Sequence, residues 1–397
     1  MSKELRVGIV GGGADSFMGG IHRAAIEACG CMELVCGAFG STRQNSFTTG
    51  KALELPTRRV YGTYRDMFRR EASMPKEERM DFVSVLAPNA MHYPVAMSSI
   101  DAGFPIFSEK PYTCNMDEAL NLTRKLRNSG LDYGIAMVYK NYPALKKAQE
   151  LLQEGKTVGN LRKITACYQL GWMAQRLETA GNKQAGWRAD PRRSGPAGCL
   201  ADLGPHCFHL AEWLSGLTVN ELCADLRPTV AGRILDDDCS VLVRFNNGAR
   251  GAFLTSQVAT GRSDGLSIEF FGDKGALFWS QSEPDRLVAR GIDGTPTVSL
   301  CGIPEGRAEI TAPEPYGRNA AYIAALADAY AAFAKVLTDR KAALRDKVPE
   351  NSFMTVDEGL RAVAFVDAAL KNTAVPEEGQ PPPQKWMPVI VPPIPEL

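Results

Sequence analysis

The sequence predicts an α/β chain: an N-terminal doubly wound parallel sheet, then a C-terminal α+β domain with an open, mostly antiparallel sheet. Up to about residue 145, short continuous apolar runs alternate with helical stretches, the pattern of a parallel sheet covered on both faces. Beyond it, strand-like stretches joined by tight-turn signals dominate, and hairpins pair antiparallel. With 397 residues the chain exceeds what one compact core needs. The expected division is 1–145, 146–375 and a Pro-rich tail at 376–397.

In order along the chain, residues 6–10 are apolar and β-branched and read as a strand, 21–28 as a helix and 33–39 as a second strand. Residues 81–87 and 105–108 read as later strands, with 95–102 as a helix between them. The helix at 116–128 runs to Gly130, a C′ glycine, and 133–139 is again strand-like. In the second part, 162–170, 239–245, 249–258, 266–271 and 276–279 read as strands. Asn246-Asn247-Gly248 and Asp273-Lys274-Gly275 are hairpin turns. Alanine-rich 319–337 and 356–370 read as helices packed on this second domain. The tail, with Pro381-Pro382-Pro383 and Pro392-Pro393, is expected to lie extended on a surface without regular hydrogen bonding.

Charge and composition narrow the partners. Forty-five Lys plus Arg balance 45 Asp plus Glu with no long basic run, so neither nucleic acid nor an anionic membrane surface is an expected partner. No apolar stretch approaches the ~20 residues of a membrane span, and no signal-peptide pattern opens the chain. Ten cysteines, none in C-x-x-C spacing, suit reduced thiols and a cytoplasmic location. Cys29 and Cys31 have poor zinc spacing and read as small buried hydrophobes.

The stretch 8–22, Gly-Ile-Val-Gly-Gly-Gly-Ala-Asp-Ser-Phe-Met-Gly-Gly-Ile-His, follows the first strand and opens the first helix. A backbone that turns sharply and brings N–H groups against a diphosphate needs residues without side chains. Gly11 and Gly13 fill the first two positions of the dinucleotide-binding (Rossmann) fingerprint. Ser16 stands at the third, and Phe17 begins an insertion that lengthens the loop. The second strand ends without the ribose-binding acid typical of NAD sites; Ser41 can bond a ribose hydroxyl, and Arg43 can stack on adenine or meet a 2′-phosphate. NAD is the expected cofactor, and NADP is the alternative that the same residues admit.

Glu109-Lys110-Pro111, directly after the strand at 105–108, resembles the signature of the Gfo/Idh/MocA oxidoreductase family. Pro88-Asn89-Ala90-Met91-His92 is similar to the family's turn after its fourth strand, and Asp202-Leu203-Gly204-Pro205-His206 to its Asp-x-Gly-x-His. The lengthened glycine loop and residues 186–195 resemble the branch that oxidises pyranoses and glycosides, levoglucosan-type and glycoside 3-dehydrogenases among them. The resemblance implies an NAD(P)-dependent dehydrogenase acting on a secondary ring hydroxyl, C3 being the expected position, of a sugar, glycoside or cyclitol.

Such chemistry requires a base for the hydroxyl proton and a positive group near the developing alkoxide. Lys110, at the C-terminal end of a sheet strand where ligands sit, can polarise the hydroxyl or relay its proton. His206 is the expected base, since an ordinary imidazole titrates at ~6.5. Asp202, four residues earlier, shares its helix face if the helix spans both; Pro205 leaves open a start near Gly204. Pro88, Asn89, His92, Glu109 and Lys110 itself are expected around the cofactor. Tyr139, Trp172, Trp187 and Arg188 offer aromatic faces and bidentate donors for a sugar. A metal site from Asp202, His206 and His209 is set aside because hydride transfer to nicotinamide needs none. Two alternatives use the same parts: redox-assisted glycoside cleavage with tightly bound NAD, and a non-catalytic cofactor sensor. An open sheet face is expected to be covered in a homodimer or homotetramer.

Overall fold

The apolar N-terminal run forms β1 (Leu5–Gly11), an interior strand of a five-stranded sheet in a computed structural model that describes residues 4–14, 16–263, 265–302, 320–339, 352–374 and 385–394. α1 (Phe17–Cys29) and β2 (Met32–Ala38) complete the first crossover, and Gly30 closes α1 in the left-handed conformation. α2 (Arg43–Ala52) and α3 (Tyr64–Ala72) follow. α2 carries no apolar stripe and buries Ser46, Thr49 and Gly50, whereas α3 places Tyr64, Met67 and Phe68 at i, i+3 and i+4 and buries Glu71 beside them. Next come β3 (Phe82–Leu86), α4 (His92–Asp101), β4 (Ile106–Glu109), α5 (Met116–Ser129) and β5 (Tyr133–Ala136).

The five strands are parallel in the order β2-β1-β3-β4-β5, so the chain reverses direction of travel between β1 and β3 and opens a crevice at their carboxyl ends. Val60 makes a single parallel bridge to Gly37, all that stands for a strand between β2 and β3. The Pro88-Asn89 turn therefore follows the third full strand and not a fourth. The run at 133–139 is strand only as far as Ala136 and then a 3-10 turn over Val138–Asn141.

α6 (Pro143–Glu154) leads to the second sheet through β6 (Leu161–Gln169). The short α7 (Lys183–Arg188) and α8 (Pro191–Ser194) precede α9 (Cys199–Ser215), which is buried along nearly its whole length. Then follow β7 (Val219–Arg227), β8 (Asp238–Phe245), β9 (Arg250–Ser256), β10 (Leu266–Gly272), β11 (Gly275–Ser280), β12 (Arg286–Gly291) and β13 (Pro296–Leu300). Asn247 and Gly248 turn the β8–β9 hairpin, and Asp273 and Lys274 the β10–β11 hairpin, as the turn chemistry predicts. Neighbours pair antiparallel throughout except β6 with β9. Alternation along β8 sends Val241, Val243 and Phe245 inward, while Leu242 on the opposite face is 51% exposed.

α10 (Ala320–Asp339) and α11 (Val356–Thr373) correct the expectation that both helices pack on the second domain. α11 packs on α9, stacking Phe365 on Phe208 with ring centres 4.7 Å apart. α10 instead crosses back and lies against α1 and the first sheet, where Tyr330 and Phe333 meet Phe107 at 4.6 and 5.3 Å and Phe333 meets Phe82 at 5.4 Å. At mean hydropathy 1.4 over an 18-residue window, α10 is also long and apolar enough to cross a bilayer, contrary to the sequence reading. Its apolar residues are nevertheless the missing cover of the first sheet, with Ile323, Leu326, Tyr330 and Phe333 fully buried.

The tail is also more regular than expected. β14 (Met387–Pro388) pairs with β7 at the sheet edge, and Trp386 lies under the Arg244 guanidinium at 3.7 Å. Pro381, Pro382 and Pro383 lie outside the described residues.

Candidate active site

The chain leaves β1 through Gly11 and Gly12, both left-handed at φ +84° and +62°. A Cβ on Gly11 would lie 2.6 Å from the Leu86 carbonyl oxygen, so glycine alone allows β1 and β3 to approach here. The third fingerprint position is not simply lost with Ser16. A Cβ on Gly19 would collide with the Gly12 carbonyl, so Gly19, three residues farther on, provides the close approach of helix to turn. Arg23 Nη1 donates to that same carbonyl at 2.7 Å, and the Ala14 N–H donates to Thr49 Oγ1 at 3.1 Å. Ser16 caps α1 in extended backbone without a side-chain bond to the helix, and Phe17 is its first residue.

At the carboxyl end of β4, Lys110 reaches across to α9. Its Nζ donates to Asp202 Oδ1 at 2.6 Å and to the Asp202 carbonyl at 2.7 Å. The helix start that the sequence left open is settled by Asp236, whose carboxylate accepts the Gly198 and Leu200 N–H groups, both at 2.7 Å. α9 thus begins at Cys199 and carries Pro205 in its interior, placing Asp202 and His206 one turn apart. Cys239 adds its thiol to the same Asp236 carboxylate at 3.0 Å.

Asp202 is the hub. Besides Lys110, it accepts from Gln257 Nε2 at 2.8 Å and Arg188 Nε at 3.1 Å, both on Oδ2. Burial works to raise its pKa, but the Arg188 and Lys110 charges overcome this and hold the carboxyl well below the usual carboxylate range. Arg188 stacks over Trp187 at 4.1 Å and lies 5.6 Å from the Trp172 ring, and its Nη1 donates to Gln184 Oε1 at 2.8 Å. Expected to meet a sugar, Arg188 has its Nε and Nη1 committed to the protein, so it acts on Asp202 while the two tryptophans flank it.

His206 points Nδ1 at Met137 Sδ, 3.2 Å away, with Tyr139 and Tyr168 edge-on to its ring at 5.4 Å each. Tyr139 is 1% exposed and meets Tyr142, Trp279 and Tyr322 as well. That corrects its expected place: it is a wall behind His206 and not a face turned to a ligand. His209 turns away to Glu358 Oε1 at 3.2 Å, so the structure separates it from Asp202 and His206 instead of gathering the three around one ion.

Around the crevice, His92 sits between the Pro111 and Ala87 carbonyls, with Nδ1 and Nε2 at 2.7 and 2.9 Å, and burial lowers its pKa. It ties the loop after β3 to the loop after β4. Pro88 precedes the 3-10 turn Asn89–Met91, and Asn89 Nδ2 donates to the Ser194 carbonyl at 3.1 Å. Ser41 and Arg43 are exposed just beyond β2, Arg43 lying over Phe47 at 5.3 Å. Glu109 Oε1 pairs with His22 Nε2 at 2.9 Å. Gln257 and His22 were missed from sequence. Gln257 does carry a signal: it follows Thr255 and Ser256, the last residues of β9, as three successive polar residues after an apolar run, and all three are buried.

Two family models match in succession: "Oxidoreductase family, NAD-binding Rossmann fold" over residues 5–137 and "GFO/IDH/MocA C-terminal domain" over 145–278. The chain belongs to the GFO/IDH/MocA oxidoreductase family. This family member is 26% identical to the uncharacterized oxidoreductase YfiI of Bacillus subtilis, covering 94% of this chain and 95% of that one. It is 25% identical to levoglucosan dehydrogenase of Pseudarthrobacter phenanthrenivorans, over 72% and 76% of the two chains. Its fold matches an inositol dehydrogenase homolog complexed with NAD+ from Azotobacter vinelandii, with TM-score 0.87, 24% identity and 98% of each chain covered. Levoglucosan dehydrogenase in complex with NADH and levoglucosan matches with TM-score 0.75, 20% identity, and 98% and 100% coverage.

The first domain of this GFO/IDH/MocA protein fits the NAD-binding fold. Gly11 and Gly12 bring the turn against β3 without side chains, and the turn leads into the first turn of α1, where backbone N–H groups suit a diphosphate.

Proposed function

We propose that the protein is an NAD-dependent dehydrogenase that oxidises a secondary ring hydroxyl, at C3, of a sugar, glycoside or cyclitol. The observation that carries this reading is the Lys110 ammonium held 2.6 Å from Asp202 at the carboxyl end of β4, with His206 one turn along the same helix. NAD, when bound by the Gly11–Gly13 turn and α1, supplies the acceptor for the hydride. Lys110 orients and polarises the hydroxyl, Asp202 fixes the ammonium, and His206 takes the hydroxyl proton. Trp172 and Trp187 offer apolar faces to the C–H side of a pyranose. Ser41 and Arg43 border the adenosine end, with no acid there to exclude NADP by charge.

Support for a ring polyol comes from relatives crystallised with levoglucosan and with myo-inositol, each alongside NADH. A cofactor sensor would need the glycine turn but no Lys–Asp–His cluster. Homodimers or homotetramers form through the open face of the second sheet, where Leu242 is exposed in mid-strand. A monomeric mass by light scattering at working concentration rejects that assembly.

A panel of pyranoses, glycosides and cyclitols tests the activity by the appearance of reduced nicotinamide absorbance. Oxidation of at least one ring polyol, with a 3-keto product by NMR, is expected. Free aglycone released without net cofactor turnover would replace this reading with redox-assisted glycoside cleavage.

A further inference from the structure

A chain of hydrogen bonds runs from the core of the first sheet to the carboxylate beside Lys110. Ser84 Oγ on β3 lies 2.7 Å from Tyr330 Oη on α10, and Tyr330 Oη lies 2.7 Å from His22 Nδ1 on α1. His22 Nε2 then meets Glu109 Oε1 at 2.9 Å. Ser84, Tyr330 and His22 are all 0% exposed. Side-chain donors and acceptors fix the direction of this chain. Burial acts to raise the Glu109 pKa, but the hydrogen bond from His22 and the neighbouring Lys110 charge hold it below the usual value. The carboxylate therefore only accepts, and His22 Nε2 carries a proton. Burial pushes the Tyr330 phenol well up, so it keeps its one proton. Given to His22 Nδ1, that proton leaves Ser84 free to donate to Tyr330 Oη, and every polar atom is matched. Given to Ser84 instead, it would strand the serine proton, for which no other acceptor stands among the described residues.

We infer that Tyr330, carried on the helix that returns to the first sheet, is a positioning residue that fixes His22 as the Nε2–H tautomer and thereby holds Glu109 as an oriented carboxylate at the dinucleotide crevice. Glu109 is the acceptor at the end of the chain, and Ser84, Tyr330 and His22 act only through it. The inference rests on the NAD-binding assignment of the first domain and is independent of the substrate. Glu109 is faced by His22 from α1, His92 from α4 and Lys110 directly after its own strand, and Tyr330 by Glu109 and by Cys29 of α1. Without the tyrosine hydroxyl, Nδ1 can take the proton, which turns the Nε2 lone pair onto Glu109. The pair then remains close only if the carboxyl is protonated.

Full-length protein labelled with 15N-histidine tests this. Imidazole nitrogen spectra, with His22→Gln identifying the signal, should show the Nε2–H tautomer in the wild type at about pH 7 and its loss in Tyr330→Phe. Fluorescence titration should show NADH bound about fivefold more weakly by Tyr330→Phe at about pH 6, with the deficit shrinking toward about pH 8 as the carboxyl ionises. In a Glu109→Gln background, Tyr330→Phe should cause no further loss. Ser84→Ala, which leaves the aromatic packing of Tyr330 on Phe107 intact, should weaken NADH about twofold in the same pH-dependent way. An unchanged tautomer with unchanged affinity overturns the inference. So does an equal, pH-independent loss in the Glu109→Gln background, which would mark Tyr330 as packing alone. Failure of the wild type to bind NADH would strike the dinucleotide assignment, and the nitrogen spectra would still decide the tautomer.

Discussion

At the end of β1 the chain builds its turn from bare backbone; at the start of α9 it builds a cluster from side chains. The turn depends on neighbours in sequence, because Gly11 and Gly12 adopt φ +84° and +62° and admit no Cβ. The α9 site depends on distant segments: Lys110 after β4, Arg188 from α7, Asp202 from α9 and Gln257 beyond β9 all meet at one carboxylate. A buried ion network of this kind is stable only while every partner stays in place, since removing one leaves the others uncompensated. The two regions should therefore fail differently, the turn by losing the dinucleotide and the cluster by losing turnover and stability.

The largest separation is expected from Gly11→Val. Its Cβ collides with the Leu86 carbonyl and its φ is strained, so calorimetric titration should detect no NADH binding; wild-type affinity would erase the contrast. Asp202→Asn should leave NADH affinity within about threefold but cut turnover by ~10²-fold or more. It should also destabilise the fold by about 3 kcal/mol in urea, because Lys110 and Arg188 lose their shared counter-charge. The pH dependence sharpens this. The folded-state pKa of Asp202 is depressed, so its contribution is complete above the ordinary carboxylate value of ~3.9 and is lost as pH falls toward the lowered one. The stability gap between wild type and Asp202→Asn should stay flat from about pH 5 to 8 and close only in acid. A gap closing with rising pH contradicts the assignment. Gln257→Leu should act least, removing one donor at 2.8 Å for about a fivefold loss of kcat with NADH affinity unchanged.

The same contrast explains what the sequence made legible. The parallel sheet, the hairpins and the glycine turn follow from local patterns: apolar runs, Asn-Gly and Asp-Lys-Gly turns, and glycines where backbone crowds backbone. The contact between Lys110 and Asp202 was legible only through motif resemblance, because a separation of 92 positions in sequence contains no geometry. Gln257 and Tyr330 carried no motif and became functional candidates only through what they touch; His22 closes the lengthened glycine-loop pattern, but its partner Glu109 could not be read from it. α10 was read as a helix from its alanines, but its partner sheet could not be read, because an apolar helix with Tyr330 and Phe333 on one side fits either domain. Arg188 was placed near the substrate as a bidentate donor, yet its engagement with Asp202 depends on where α7 lies. Tyr139 was misplaced because an aromatic residue at a domain junction looks the same whether it faces a ligand or the core.

The most direct measurement pairs turnover with dinucleotide binding in Lys110→Met. The variant keeps the stem volume but removes the ammonium that Asp202 holds at 2.6 Å. With the ring polyol that the wild type oxidises, the account predicts no detectable turnover while NADH still binds within about threefold of wild-type affinity. Turnover within a few-fold of wild type would contradict it, and so would loss of NADH binding in step with loss of turnover.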